Sequence, residues 1–280
     1  MKKIFFLLIL FVSLNTVTQN KQILYGFAEN PQTLLLNPGA ETNYKFHVGI
    51  PFLSGLSGDV GLKNFKLTDL FSEDGIDFNT KFFRLLNKLD ANDHLKLNLQ
   101  MDVLNAGFRV DAKTYISFGF YQELDVIGYW PKDVITFLNE GNASYLNRSF
   151  DLSQIVFKAD FVGALHVGVS RKINSKLTLG GRFKIYSSTL NLETQNNSGT
   201  LTTQRGSNNI YTHYLNTIDM NFLSAGLVEN DEFLENPLEL ITNSFLGGSL
   251  GVGLDFGMTY HFSPRLEFTG SIIDFGYINY

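Results

Sequence analysis

Between Leu250 and Phe262 every second residue is large and apolar (Leu250, Val252, Leu254, Phe256, Met258, Tyr260, Phe262), while Gly251, Gly253, Asp255, Gly257, Thr259 and His261 lie between them. A period of two puts the two sets on opposite faces of one extended strand. Whatever the chain folds into must offer one environment to a greasy face and another to a small, polar one. The pattern recurs. Leu95, Leu97, Leu99, Met101 and Val103 alternate with Lys96, Asn98, Gln100 and Asp102. A longer ribbon runs from Ile155 to Ser170, with Lys158, Asp160 and His166 opposite Phe157, Phe161, Leu165 and Val167. The polar run Arg171 to Lys176 then returns the chain into Leu177, Leu179, Phe183 and Ile185, alternating with Arg182 and Lys184, which predicts a hairpin.

About ten strands are expected in all, several longer than the usual five or six residues of globular sheets. A polar loop is expected over Thr194 to Asn209, with a further strand from Ile210 to Phe222. Ser263-Pro264-Arg265 is expected to form a turn between the last two strands. Three inserts switch to a helical period: Phe78 to Leu89, Pro131 to Gly141, and a stretch within Glu232 to Phe245 with Pro237 starting its second half.

A strand with one apolar face suits a soluble sandwich that turns this face inward or a membrane barrel that turns it to lipid. The opposite face decides between them. It carries Lys96, Asp102, Lys158, Asp160, Arg182, Lys184 and Asp255 among glycines, the composition of a surface bordering water or a plug. Several ribbons reach the roughly 9–11 residues that a tilted strand needs to cross the hydrocarbon. Short turns alternate with long connections, as in outer-membrane barrels. The fold class expected is therefore all-β: an antiparallel transmembrane β-barrel, complete or partial, with short helical loop inserts.

Lys2 and Lys3, the apolar run Ile4 to Val12 and the small residues Thr16-Val17-Thr18 form the pattern of an export signal over residues 1–18. Residues 19–280 are then the barrel domain, C-terminally truncated or whole. The run is too short for a membrane helix, which needs about 20 residues. Net charge −5 makes nucleic acid an unsuitable partner. An exported chain with no cysteine must be stabilised by something other than disulfides. The 26 Phe and 12 Tyr residues are a heavy aromatic load that needs somewhere to go.

The stretches "LLLNPGAE" (34–41), "HVGIPFLSGLSG" (47–58) and "GLDFGMTYHFSPRLEFTGSIIDFGYINY" (253–280) resemble an uncharacterised group of Bacteroidetes outer-membrane β-barrel proteins. That group is similar in plan to FadL-type fatty-acid transport barrels and to barrel components of type IX secretion. The resemblance implies an outer-membrane location and a barrel fold, with no activity attached. In FadL-type barrels an Asn-Pro-Ala segment belongs to an N-terminal hatch. Asn37 and Pro38 match its first two positions, while Gly39 departs from the third. Asn-Pro-Gly is also an ordinary turn sequence, because Pro fixes φ and Gly tolerates positive φ, and the turn is the favoured reading.

Motifs with chemical meaning lack their context. Gly247 to Gly251 fits the G-x-S-x-G formula, but a strand follows where a nucleophile elbow needs a helix. Gly251 and Gly253 are likewise followed by a strand, not the helix of a dinucleotide site, and are expected to make room for a plug or bulky neighbours. The five histidines lack metal-ligand spacing, and Asp90, Asp93 and His94 suit a solvated loop. No catalytic residue, metal or cofactor is expected, and the chain is not expected to be an enzyme. The expected function is an outer-membrane barrel that passes or binds small hydrophobic molecules, with outer-membrane lipid around it. Its rivals are a docking component of a secretion or assembly machine, gripping a partner protein through Phe82, Leu86 and Leu89 or through Val134 and Leu138, and a soluble exported β-sandwich or barrel that binds a ligand.

Overall fold

The computed structural model of the 280-residue chain describes residues 24–27, 29–50, 55–62, 68, 70–207, 210–226, 228–229, 232–233 and 236–280. The leader expected over residues 1–18 lies outside them. The elements in chain order are α1 (Thr33–Leu36), β1 (Phe46–Val48), β2 (Leu56–Leu62), α2 (Phe78–Lys88), β3 (His94–Arg109), β4 (Thr114–Tyr129), α3 (Lys132–Glu140), β5 (Ser149–Asp151), β6 (Phe157–Lys172), β7 (Leu177–Arg205), β8 (Tyr211–Ala225), β9 (Val228–Glu229), β10 (Glu232–Phe233), α4 (Pro237–Asn243), β11 (Ser249–Ser263) and β12 (Leu266–Ile278).

Ten strands form one antiparallel sheet along the path β1-β3-β4-β6-β7-β11-β12, with β2 on the far half of β3 and β5 and β8 on the outer half of β7. The sheet is open among the described residues: its path ends at β1 and β12, which do not pair. It nevertheless curls strongly. Asp102, Tyr121, Ala164, Tyr186, Gly251 and Ile278 are successive partners across β3, β4, β6, β7, β11 and β12. Ile278 is four strand spacings from Tyr121, about 19 Å in a flat sheet. Yet Ile278 packs on the cluster that contains Tyr121, and the Tyr280 hydroxyl lies 3.1 Å from Asp160 of β6.

The two faces of the curl differ sharply in burial. Phe256 is 54% exposed, Val167 52% and Leu165 38%, and Leu97 is half-buried, whereas Asp255 and Lys184 are 0% and 1% exposed. The apolar rows are thus convex and open, and the charges are enclosed.

The turns and inserts follow local chemistry. The β3–β4, β6–β7 and β11–β12 connections are all short and lie at one end of the sheet, the turn end, while the helix-bearing connections lie at the other. Asp77 caps α2, its side chain accepting from the Thr80 amide at 3.0 Å. Gly141 ends α3 with φ +72°, and Pro237 opens α4 at its first turn. α2 buries Leu85 and Leu89 with Leu70 against Trp130. Leu89 is therefore not available to a partner, whereas Phe82 and Leu138 are exposed.

A further expectation is overturned. The polar loop over Thr194 to Asn209 is strand as far as Arg205, making β7 29 residues long. Its outer half lacks an apolar row because it stands beyond the enclosed face, but β8 and β5 satisfy its backbone there.

Candidate functional site

The enclosed face is built by register. Behind the rung of Asp102 and Tyr121 comes one with Asn105, Gly119, His166, Lys184 and Gly253, then Gly107, Ser117, Gly168, Arg182 and Asp255, then Arg109, Tyr115, Ser170, Gly180 and Gly257. Alternating glycines with long charged residues leaves a groove beside a set of charges, and the N-terminal segment fills that groove. A Cβ on Gly180 would overlap Pro38, and one on Gly257 would overlap Asn37 and Gly39. One on Gly39 would overlap the Gly257 backbone. Gly253 instead faces the Tyr186 ring. Gly39 does not adopt a positive φ, so its reason is close approach and not the backbone freedom that a turn would demand.

Asn37 and Pro38 do form a turn, and the turn is docked. The Asn37 side chain accepts from the Gly39 amide at 2.9 Å and donates to the Met258 carbonyl at 3.2 Å. Gln32 donates to Asp102 at 3.0 Å, and Ser170 donates to the Ala40 carbonyl at 3.1 Å. Leu34 and Ala40 pack with Tyr115, and Leu35 packs with Tyr121, Ala164 and Tyr186. Within eleven residues the segment therefore touches β3, β4, β6, β7 and β11.

Arg182 is the main anchor. Its guanidinium donates to the Leu34 and Leu35 carbonyls at 2.8 and 2.5 Å and to Asp255 at 2.5 Å. The two carbonyls are helix-end acceptors of α1 that lack intrahelical partners. Asp255 also accepts from Lys184 at 3.1 Å and from the Asp274 amide at 2.6 Å. Lys184 further pairs with Asp274, which also accepts from the Tyr186 hydroxyl at 2.7 Å. Asp274 reaches this position through a bulge: the β11–β12 register jumps from Leu254↔Phe275 to Phe256↔Ile272, and Asp274 takes φ +58°. A bulge re-aims a side chain, and aspartate is among the residues that tolerate this left-handed backbone. Arg182, Lys184 and Asp255 are buried while the Asp274 side chain is half exposed, and because desolvation costs several kcal/mol per ion the three buried members are held by having several partners each.

On the loop side of the segment lies a cavity of about 310 Å³. Its lining includes Tyr121, Tyr186, Tyr277 and Ile278 together with Glu123, Asp125 and Asp274. Asn98 donates to Glu123 at 2.8 Å and to Asp125 at 2.6 Å, holding the two carboxylates side by side.

The residues expected to line an interior fall into two groups. Asp102, Arg182, Lys184 and Asp255 are buried on the enclosed face around the docked segment. Lys96 and Lys158 share a row nearer the loop end, where Lys158 is exposed and lies 3.4 Å from the half-buried Asp160. Tyr121, Tyr186 and Glu123 belong to the same interior, with the half-exposed Asp274 at its rim, and none of the four is among the expected residues. Among the described residues no group of three or more His, Cys, Asp or Glu side chains has a metal-holding arrangement. Asp90 and Asp93 instead brace their own loop, Asp93 accepting from the Asp90 amide at 3.0 Å.

An open, curled antiparallel sheet with an exposed apolar side and a stoppered polar side defines the class of protein. Residues 38–280 match the family of unknown function DUF5723, and the chain belongs to that family. Neither the curated proteins nor the solved structures yield a match.

Proposed function

We propose that this chain forms the wall of an outer-membrane β-barrel whose lumen is stoppered by residues 32–42, and that the barrel binds or passes small molecules. The observation that carries the reading is the inverted burial: Phe256 is open while Asp255 beside it is wholly enclosed. In water such a convex surface would be an aggregation liability, since monomeric soluble proteins rarely expose contiguous apolar patches beyond a few hundred Å². Against acyl chains it is the stable arrangement. A soluble binding protein would turn these rows inward. The cavity combines tyrosines with carboxylates, which suits a molecule having an apolar body and a polar end.

Planar-bilayer conductance tests the stopper. The full chain is expected to conduct weakly, and a chain lacking residues 32–42 is expected to conduct several-fold more. Equal conductance from two folded samples contradicts the proposal. The second reading, a docking component of an assembly machine, is favoured by the exposed aromatic group at the loop end, where Phe78 lies 5.8 Å from Phe71 and 6.0 Å from Phe82. Under it, deletion of the segment leaves conductance at background.

A further inference from the structure

At the turn end, on the other side of the docked segment, a second cavity of about 280 Å³ opens. Arg109, Lys113 and Lys172 line it, and they come from the end of β3, the β3–β4 turn and the end of β6. Glu41 is the only carboxylate in the lining, so three cations against one leave a surplus of two positive charges. That surplus runs against the composition of a chain with net charge −5.

Glu41 is already engaged. Thr178 donates to it at 2.7 Å, and Lys172 and His261 lie 3.8 and 3.3 Å from its oxygens. Burial pushes its carboxyl up, but the Thr178 hydrogen bond, the Lys172 charge and the His261 contact outweigh that and hold it below its ordinary 4.5. Arg109 is fixed in place: its Nη2 donates to the Thr42 carbonyl, to the Thr42 hydroxyl at 3.2 Å and to the Tyr44 carbonyl at 3.4 Å, and its guanidinium sits 5.7 Å from the centre of the Tyr115 ring. Among the described residues the Lys113 ammonium has no hydrogen-bond or ion-pair partner. Converging like charges repel unless a counter-charge sits between them.

We infer that this turn-end cavity is a binding site for a phosphate monoester. A surplus of two positive charges matches the roughly −1.5 to −2 of such a group at neutral pH better than the single charge of a carboxylate. A pinned guanidinium with two lysines is a phosphate-recognising set, and Thr42 and Asn43 add polar groups at the wall. The size is at the low end for ligand pockets, which fits a small ester. The inference goes beyond the barrel proposal and does not depend on closure of the sheet, because every residue in it lies in described hairpins or within residues 41–43.

The test is calorimetric titration of the full chain, folded in a non-ionic detergent, with glycerol 3-phosphate and, separately, with short-chain phosphatidic acid, which presents the same group from a lipid. Saturable binding of at least one is expected, with succinate clearly weaker and affinity falling as salt is raised. Lys113→Gln touches no protein partner and is expected to weaken binding roughly tenfold or more. Absence of binding by both esters to folded protein overturns the inference. So does equal binding of succinate, or unchanged affinity in the Lys113→Gln variant.

Discussion

Replacing Phe256 with arginine is expected to lower the stability of the chain folded in lipid vesicles by about 2–4 kcal/mol, the cost that the proposed barrel assigns to a cation near the middle of a lipid-facing strand. Phe256 is the fourth of seven convex residues on β11, between Leu250 and Phe262, so it sits where the hydrocarbon is deepest if that row faces lipid. On the water-facing side of a soluble sheet, replacing a half-exposed side chain alters stability by only about 0.5 kcal/mol in either direction. Urea titration followed through Trp130, the single tryptophan, separates the two outcomes.

The second large effect is inside. Arg182→Met is expected to cost about 3–5 kcal/mol, because it leaves the Asp255 carboxylate enclosed with one fewer cation. It also strips the Leu34 and Leu35 carbonyls of their donors, so residues 32–42 lose their main anchor. Adding Asp255→Asn to the variant removes the uncompensated charge and should restore part of the loss, giving a coupling that independent sites would not show. Chemical denaturation of the four proteins measures it. Purely additive losses would mean that the Arg182–Asp255 pair does not act as a unit.

The strands that carry the enclosed charges were legible because alternation is local. Arg182, Lys184 and Asp255 could be placed on the polar face from the period alone. Asp274 could not, because it follows a break in phase: the apolar set of β12 runs Leu266, Phe268 and Ile272, then resumes at Phe275 and Tyr277. The same slip occurs between Met101 and Leu104 in β3, and between Ile185 and Leu190 in β7. Each coincides with a register shift. Ile272-Ile273 in β12 and Val103-Leu104 in β3 are adjacent apolar pairs at such a slip, but β4 carries Tyr115-Ile116, Phe120-Tyr121 and Val126-Ile127 in unbroken register with β6, so adjacency alone would not have pointed to Asp274.

Other features had no local signal. The docking of Asn37 to Gly39 depends on Gly180 and Gly257 lying side by side, which is set by strand register some 140 to 220 residues away. β1 and β2 are short or glycine-rich and exist because β3 offers them an edge. The outer half of β7 reads as a loop because Thr, Asn, Ser, Gln and Gly fill it and Leu201 is its one large apolar residue, although Thr202 and Thr203 are buried there.

The orientation of the convex rows is the claim on which the rest stands. Spin labels placed singly at positions 250 to 262 in vesicle-reconstituted protein measure it directly through their accessibility to oxygen, which dissolves in lipid, and to a water-soluble nickel chelate. The account predicts a two-residue alternation in oxygen accessibility, with maxima at 252, 254, 256 and 258 and nickel exposure low at those positions. Nickel maxima at the even positions, or no alternation in a folded sample, would contradict it.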